Sequence, residues 1–202
     1  AYGQQEKNYK ITLKSRSFTP QPGIKQLFWD SLTVQLIRGE KRHVYVQLNK
    51  HLTIEERAEL EEQGVKLLNY IGSYTWYAVV VDHRALNFSI PDSVRRTPIL
   101  GTMRWIGEIK PEDRIEPDII EDRLDKWIKT EDNRERYSVY FFKDVSMETA
   151  RQIITRLGGE IEGEEILTRG FFVILPPGIC DSLMNEDKVK FIDLTPPPDI
   201  PD

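Results

Sequence analysis

Apolar and polar positions alternate along several short stretches of this chain, and helix-period segments lie between them. Residues 43 to 48, His-Val-Tyr-Val-Gln-Leu, have the period of a strand. Thr53 then opens a helix, and Glu56 three residues later completes a capping box. A second strand is expected over residues 65 to 70, then a turn at Gly72-Ser73, a third strand over 76 to 81 and a fourth over 103 to 109.

The same order returns further on. Residues 137 to 142 form a strand pattern, and Ser146 opens a helix whose Met147, Ala150, Ile153, Ile154 and Leu157 share one face. Gly158-Gly159 ends it. Residues 160 to 167 pair with 171 to 175 around Thr168-Arg169-Gly170, a short helix is expected over 179 to 185, and 189 to 194 is the last strand. Laid side by side, Thr53 aligns with Ser146, Gly64 with Gly159, Trp76 with Phe171 and Trp105 with Phe191. Only the stretch before the fourth strand changes length much. In the first copy it holds Pro91 and Pro98, so the second helix there is expected to be short or irregular.

Two hairpin-like strand pairs flanked by helices favour an α+β fold of two tandem ferredoxin-like β-α-β-β-α-β sandwich units. The first helix is the poorer of the two, since its many glutamates leave only Ile54, Ala58 and Leu60 as apolar anchors. The expected organisation is an extended N-terminal arm over 1-42, where Pro20 and Pro22 favour extended chain, a first unit over 43-117, a connecting helix or linker over 118-135 and a second unit with a C-terminal tail over 136-202. Ile120, Leu124, Trp127 and Ile128 supply the helical spacing of the connector.

Composition narrows the function classes. The chain has 39% hydrophobic and 30% charged residues and a net charge of -5, so no overall positive field draws in nucleic acid or anionic lipid. No apolar run approaches the roughly 18 to 20 residues that cross a bilayer. Cys180 is the only cysteine, which excludes an internal disulfide. Ala1 begins the chain without a Met, as signal cleavage, proteolytic processing or a chosen boundary would each leave it.

Candidate chemistry is sparse. His43, His51 and His83 sit in no His-Gly-Thr-His motif, no serine sits in Gly-x-Ser-x-Gly or Gly-Thr-Ser, and Asp92-Ser93 lacks the glycine of a subtilisin aspartate motif. Asp193 follows two apolar residues as a catalytic aspartate at a strand end does, but Leu194-Thr195-Pro196 continues it rather than a Thr-Gly turn. One cysteine and three scattered histidines give no metal-ligand spacing, and Glu160, Glu162, Glu164 and Glu165 fit a solvated face better than a calcium site. No phosphate-cradling glycine loop is present, so neither a cofactor nor a metal is expected. Paired carboxylates across a cleft, as glycosidases use, cannot be placed from 33 acids in a linear chain. Trp76, Tyr77, Phe171 and Phe172 fit core and cross-strand packing more readily than a stacking platform.

The stretches His43-Val44-Tyr45-Val46-Gln47-Leu48, Thr53-Ile54-Glu55-Glu56-Arg57, Gly64-Val65-Lys66-Leu67-Leu68-Asn69-Tyr70 and Trp76-Tyr77-Ala78-Val79 resemble the N-terminal pro-regions of subtilisin-like serine proteases. Met103-Arg104-Trp105-Ile106-Gly107, followed by Pro111 and a charged run to Ile115-Glu116-Pro117, looks like the last strand and exit of such a region. The second copy is similar in layout, through Gly158-Gly159-Glu160-Ile161, Gly170-Phe171-Phe172-Val173 and Val189-Lys190-Phe191-Ile192. The resemblance implies a secreted or cell-surface, non-catalytic propeptide. Such a segment assists the folding of a subtilisin-like protease domain and inhibits it, with no nucleic-acid or membrane partner. It also implies protease-binding roles for Leu194, Thr195 and Pro196, lying in the substrate cleft, and for Glu164 and Glu165, capping helix N-termini of the enzyme. The Pro196-Pro197-Pro198 run departs from a well-fitted cleft strand, because proline cannot donate to a ladder. The alternative is a stand-alone extracellular interaction module that binds through strand edges or the arm.

Overall fold

The computed structural model describes residues 7–89 and 97–197, so Pro91, Asp92-Ser93 and Pro198 onward lie outside the described residues. The chain divides into two compact units, Ala1–Ile109 and Lys110–Asp202. Among the described residues it is a mixed α+β protein with three antiparallel sheets and five α-helices.

The first unit opens with a short hairpin of β1 (Ile11–Thr12) and β2 (Ser17–Phe18), followed by helix α1 (Gln26–Ile37). β3 (Arg42–Leu48), α2 (Ile54–Glu62), β4 (Val65–Gly72), β5 (Thr75–Val80) and β6 (Met103–Glu108) complete it. The sheet order is β4-β5-β3-β6, so the two strands joined through α2 are separated by β5. Alternation in β3 sends Val44, Val46 and Leu48 into one core cluster with Val65, Ala78, Val80 and Ile106. Leu60 is the buried anchor of α2, whose start is fixed by the capping box of Thr53 and Glu56. Two 3-10 turns, His83–Ser89 and Pro98–Thr102, stand where a second helix would lie, and their Ala85, Leu86, Ile99 and Leu100 enter the same cluster.

The N-terminal segment is not an extended arm. Prolines 20 and 22 confine the extended chain to a few residues, after which Leu32 and Leu36 of α1, one helical turn apart, enter that same cluster. They supply the apolar surface that the glutamate-rich α2 lacks. The β4–β5 loop is also one residue beyond the expected position. It consists of Ser73 and Tyr74, both at positive φ (49° and 59°), the two-residue loop whose twist matches a hairpin.

The second unit begins with a 3-10 turn at Pro111–Arg114 and the short helix α3 (Pro117–Ile120). β7 (Glu135–Phe141), α4 (Met147–Arg156), β8 (Glu160–Glu165), β9 (Gly170–Leu175), α5 (Ile179–Met184) and β10 (Val189–Leu194) follow. The sheet order is β10-β7-β9-β8, antiparallel throughout, the order of the first sheet read from the other edge. Ser146 caps α4 by accepting the Thr149 N–H at 3.1 Å, and Ala150, Ile153 and Ile154 form its buried stripe.

Gly158, at φ +80°, is the counterpart of Gly64 at φ +90°, so the alignment of Gly64 with Gly159 shifts by one residue. Each follows the last helical turn, where a left-handed residue releases the chain into the next strand. At Gly64 a Cβ would also come within 2.5 Å of the Asp82 Cβ. The connector is likewise not one helix. α3 stops after four residues, with Asp122 at φ 53°, and Trp127 and Ile120 remain exposed. Ile128 is buried by backbone pairing instead, its carbonyl accepting the Arg136 N–H at 2.8 Å.

Candidate docking surfaces

The registers of the second sheet fix where each expected protease-binding residue lies. One row runs Ile161, Val173, Tyr137, Leu194 and another runs Glu165, Gly170, Tyr140, Phe191. Glu164 and Glu165 on β8 and Leu194 on β10 therefore sit on opposite edges, near diagonal corners. Three strand steps of about 4.8 Å, about 14 Å in all, separate the edges. The two groups do not form one site.

At the β10 edge, Leu194 is half-buried and its N–H donates to Asp193 Oδ1 at 2.9 Å. That bond occupies one oxygen of Asp193, the acid near the strand end. The carbonyl of Thr195 accepts the Trp127 indole N–H at 3.2 Å, while the buried Thr195 hydroxyl oxygen has no hydrogen-bond partner. Pro196 is exposed. At the β8 edge, Arg151 donates to both oxygens of Glu164, at 2.8 Å and 3.0 Å, and Glu165 accepts from the Thr168 hydroxyl at 2.8 Å. Arg134 and Arg136 pair with Glu160 and Glu162. The glutamate run is thus a salt-bridged face. β8 ends two residues earlier than expected, leaving Ile166 and Leu167 at the hairpin tip 72% and 98% exposed.

Each sheet has a second face, opposite its helices, and here the two units differ. In the first unit Tyr77, Tyr45, Trp105 and Phe18 form a continuous row of rings with centroids 5.4, 6.2 and 5.9 Å apart. Phe18 belongs to the N-terminal hairpin, and the carbonyl of Tyr9 accepts from the buried Gln47 amide at 3.0 Å. The chain's own N-terminal segment therefore covers this face. Gly107 is needed beneath it, since a Cβ there would lie 1.9 Å from the Trp105 ring. In the second unit the register puts Ser138, Tyr140, Phe172 and Phe191 at the positions of Tyr45, Gln47, Tyr77 and Trp105. Tyr140, Phe172 and Phe191 are partly exposed, with Lys190 5.7 Å from the Tyr140 ring centroid. Burial pushes the Lys190 amine below its ordinary pKa, and the buried Ser138 hydroxyl has no hydrogen-bond partner.

The four aromatics considered for a platform divide accordingly. Phe171 is core at 1% exposure, Tyr77 and Phe172 lie on second faces, and Trp76 packs against the first core while Arg57 lies 4.6 Å over its ring. Sequence reading missed the rings next to Trp76, namely Tyr70, Tyr74 and His51, because a turn and a loop bring them together. The Tyr70-x-x-x-Tyr74 spacing across the expected turn was the only available signal.

Of the three histidines, His43 is buried, His51 stacks on Tyr74 at 4.7 Å, and His83 lies 3.5 Å from Asp82. Cys180 is held as a neutral thiol. Burial, then the nearby Glu135 charge, pushes it up to about 12. Among the described residues no group of three or more His, Cys, Asp or Glu is placed to hold a metal ion, and no helix is long and apolar enough to cross a membrane.

A family described as a domain of unknown function (DUF8729) matches residues 12–110, a little under half of the chain. The match begins within β1 and closes at the boundary of the first unit, so it takes in the hairpin and α1 along with the sheet. No curated protein and no solved structure matches the chain.

Proposed function

We propose that this chain is a non-catalytic pro-region that assists the folding of a subtilisin-like serine protease and inhibits it. The observation that carries the reading is the double occurrence of strand, helix, two strands, helical segment and strand in an antiparallel sheet whose ends are the second and fourth strands. We read this order as a ferredoxin-like sandwich, the fold that the resemblance to such pro-regions implies. In this reading the second unit docks, because the rings Tyr140, Phe172 and Phe191 offer partly exposed apolar surface and Ser138 an unmet hydroxyl. The first unit, its equivalent face already covered by its own chain, braces the assembly. Leu194 to Pro196 leads from β10 toward the enzyme's cleft, and Glu165 is the carboxylate at the β8 tip not held by an arginine in the bonds described above. Secretion or cell-surface display follows from the role.

The test is titration of the purified chain against a mature subtilisin-like protease while peptide hydrolysis is followed. Saturable inhibition that weakens when the chain is trimmed after Leu194 is the expected result. Absence of both inhibition and binding would end this reading and leave the stand-alone extracellular interaction module, which the exposed Ile166-Leu167 tip favours.

A further inference from the structure

The first unit carries a second row of rings, on its surface and separate from the covered one. Lys7 Nζ lies 5.7 Å from the Tyr74 ring, Tyr74 lies 4.7 Å from His51, His51 6.2 Å from Tyr70, and Tyr70 5.2 Å from Trp76. Arg57 closes the row over Trp76, and Tyr9 packs on Tyr74 at 5.8 Å. Tyr70 is 48% exposed, and His51 and Arg57 are exposed as well. The row is therefore an available surface of four neighbouring rings with a cation at each end.

Ring geometry selects the ligand. Neighbouring planes are tilted by 37°, 60° and 56°, so no flat ligand can lie on two rings at once. A ridged one can seat its ridges between them. Proline-rich chain in the polyproline II form has such ridges, repeats every three residues and docks on aromatic-lined grooves. The terminal cations add a preference for acidic side chains. Long polyanions are disfavoured, because α2 beside the row carries Glu55, Glu59, Glu61 and Glu62. The sequence Pro196-Pro197-Pro198-Asp199-Ile200-Pro201-Asp202 in this same chain has both properties, with two aspartates spaced one polyproline II turn apart.

We propose that the row formed by Tyr74, His51, Tyr70 and Trp76 is a docking site for the proline-rich segment 196–202 of a second copy of this chain. Pro196 to Pro198 sit between the tilted rings, and the aspartates that follow them, Asp199 and Asp202, lie toward the Arg57 end of the row. The idea is independent of any protease, so its failure and that of the pro-region reading are separable.

The test uses the full chain, with the synthetic peptide Thr195 to Asp202 as probe. Titration is followed by the ring resonances of Tyr70 and Trp76, and self-association by sedimentation. Expected are saturable shifts at both rings, concentration-dependent association of the full chain, and loss of that association when Pro196, Pro197 and Pro198 are replaced by Ser. Tyr70→Ala, at an exposed position, should weaken the peptide about tenfold, the scale of one lost aromatic contact. Arg57→Ala should weaken it about threefold. The proposal is overturned if the peptide shifts neither ring at millimolar concentration, if Tyr70→Ala binds it as well as the parent does, or if a single-stranded oligonucleotide occupies the rings in its place.

Discussion

The two sheets share a strand order and a helix-packed face, yet their second faces have different fates. In the first unit Trp105 and Tyr45 are stacked beneath a hairpin and the Gln47 amide donates to the Tyr9 carbonyl in a part-buried bond. In the second, Phe191 and Tyr140 take the places of Trp105 and Gln47 and stay partly exposed, and the tyrosine at the centre becomes Ser138. A duplicated framework thus has one self-sufficient copy and one with apolar surface to spare. The residues that distinguish them are few, because a strand exposes only alternate side chains on each face.

The comparison is broken most forcefully at its aromatic anchors. Trp105→Ala should cost about 3 to 5 kcal/mol in urea denaturation, since it removes the ring on which both Tyr45 and Phe18 rest. An effect no larger than that of Phe191→Ala would mean that the hairpin does not seal the face. The helix-side core of the second unit should prove as closed as the first. At pH 9 an ordinary thiol is partly ionised, whereas Cys180, pushed up to about 12, should react with a thiol reagent at least about a hundredfold slower in the native protein than in denaturant. The same shift fixes a sign. As pH rises above 9 the unfolded chain loses this proton first, so stability should fall between 9 and 12.

Phe191→Ala, at a half-exposed ring, should cost only about 1 to 2 kcal/mol while weakening any partner of the second face. Thr53→Ala and Ser146→Ala should each cost about 1 kcal/mol. Amide exchange should show more fraying at α2, which buries only Leu60, than at α4, which buries three residues. Smallest of all, Arg151→Ala should leave the urea midpoint nearly unchanged despite its bidentate grip on Glu164, because the pair is exposed.

Much of the framework was legible in the chain, and the reasons are local. Capping at Thr53 and Ser146 depends on residues three positions apart, and the stripe Ala150, Ile153, Ile154 depends on one helical turn. The failures were non-local. Prolines 20 and 22 favour extended chain only locally, whereas Leu32 and Leu36 have the spacing of a buried helix face whose partner surface lies in another element. The apolar spacing from Ile120 to Ile128 mimicked a helix, but backbone pairing with the start of β7 buried Ile128 instead. The candidate residues Glu164, Glu165 and Leu194 to Pro196 could be named from the chain, but not their places at opposite sheet edges.

The sequence by itself determined the order of elements from β3 to β6 and from β7 to β10 and the caps of α2 and α4, because these follow from side-chain period and from hydrogen bonds within a few residues. Only the tertiary structure decided which sheet face is covered, which rings of Tyr70, Tyr74, His51 and Trp76 meet, and which glutamates are already paired. Those outcomes rest on strand register and on contacts between residues far apart in the chain, and a linear pattern carries neither.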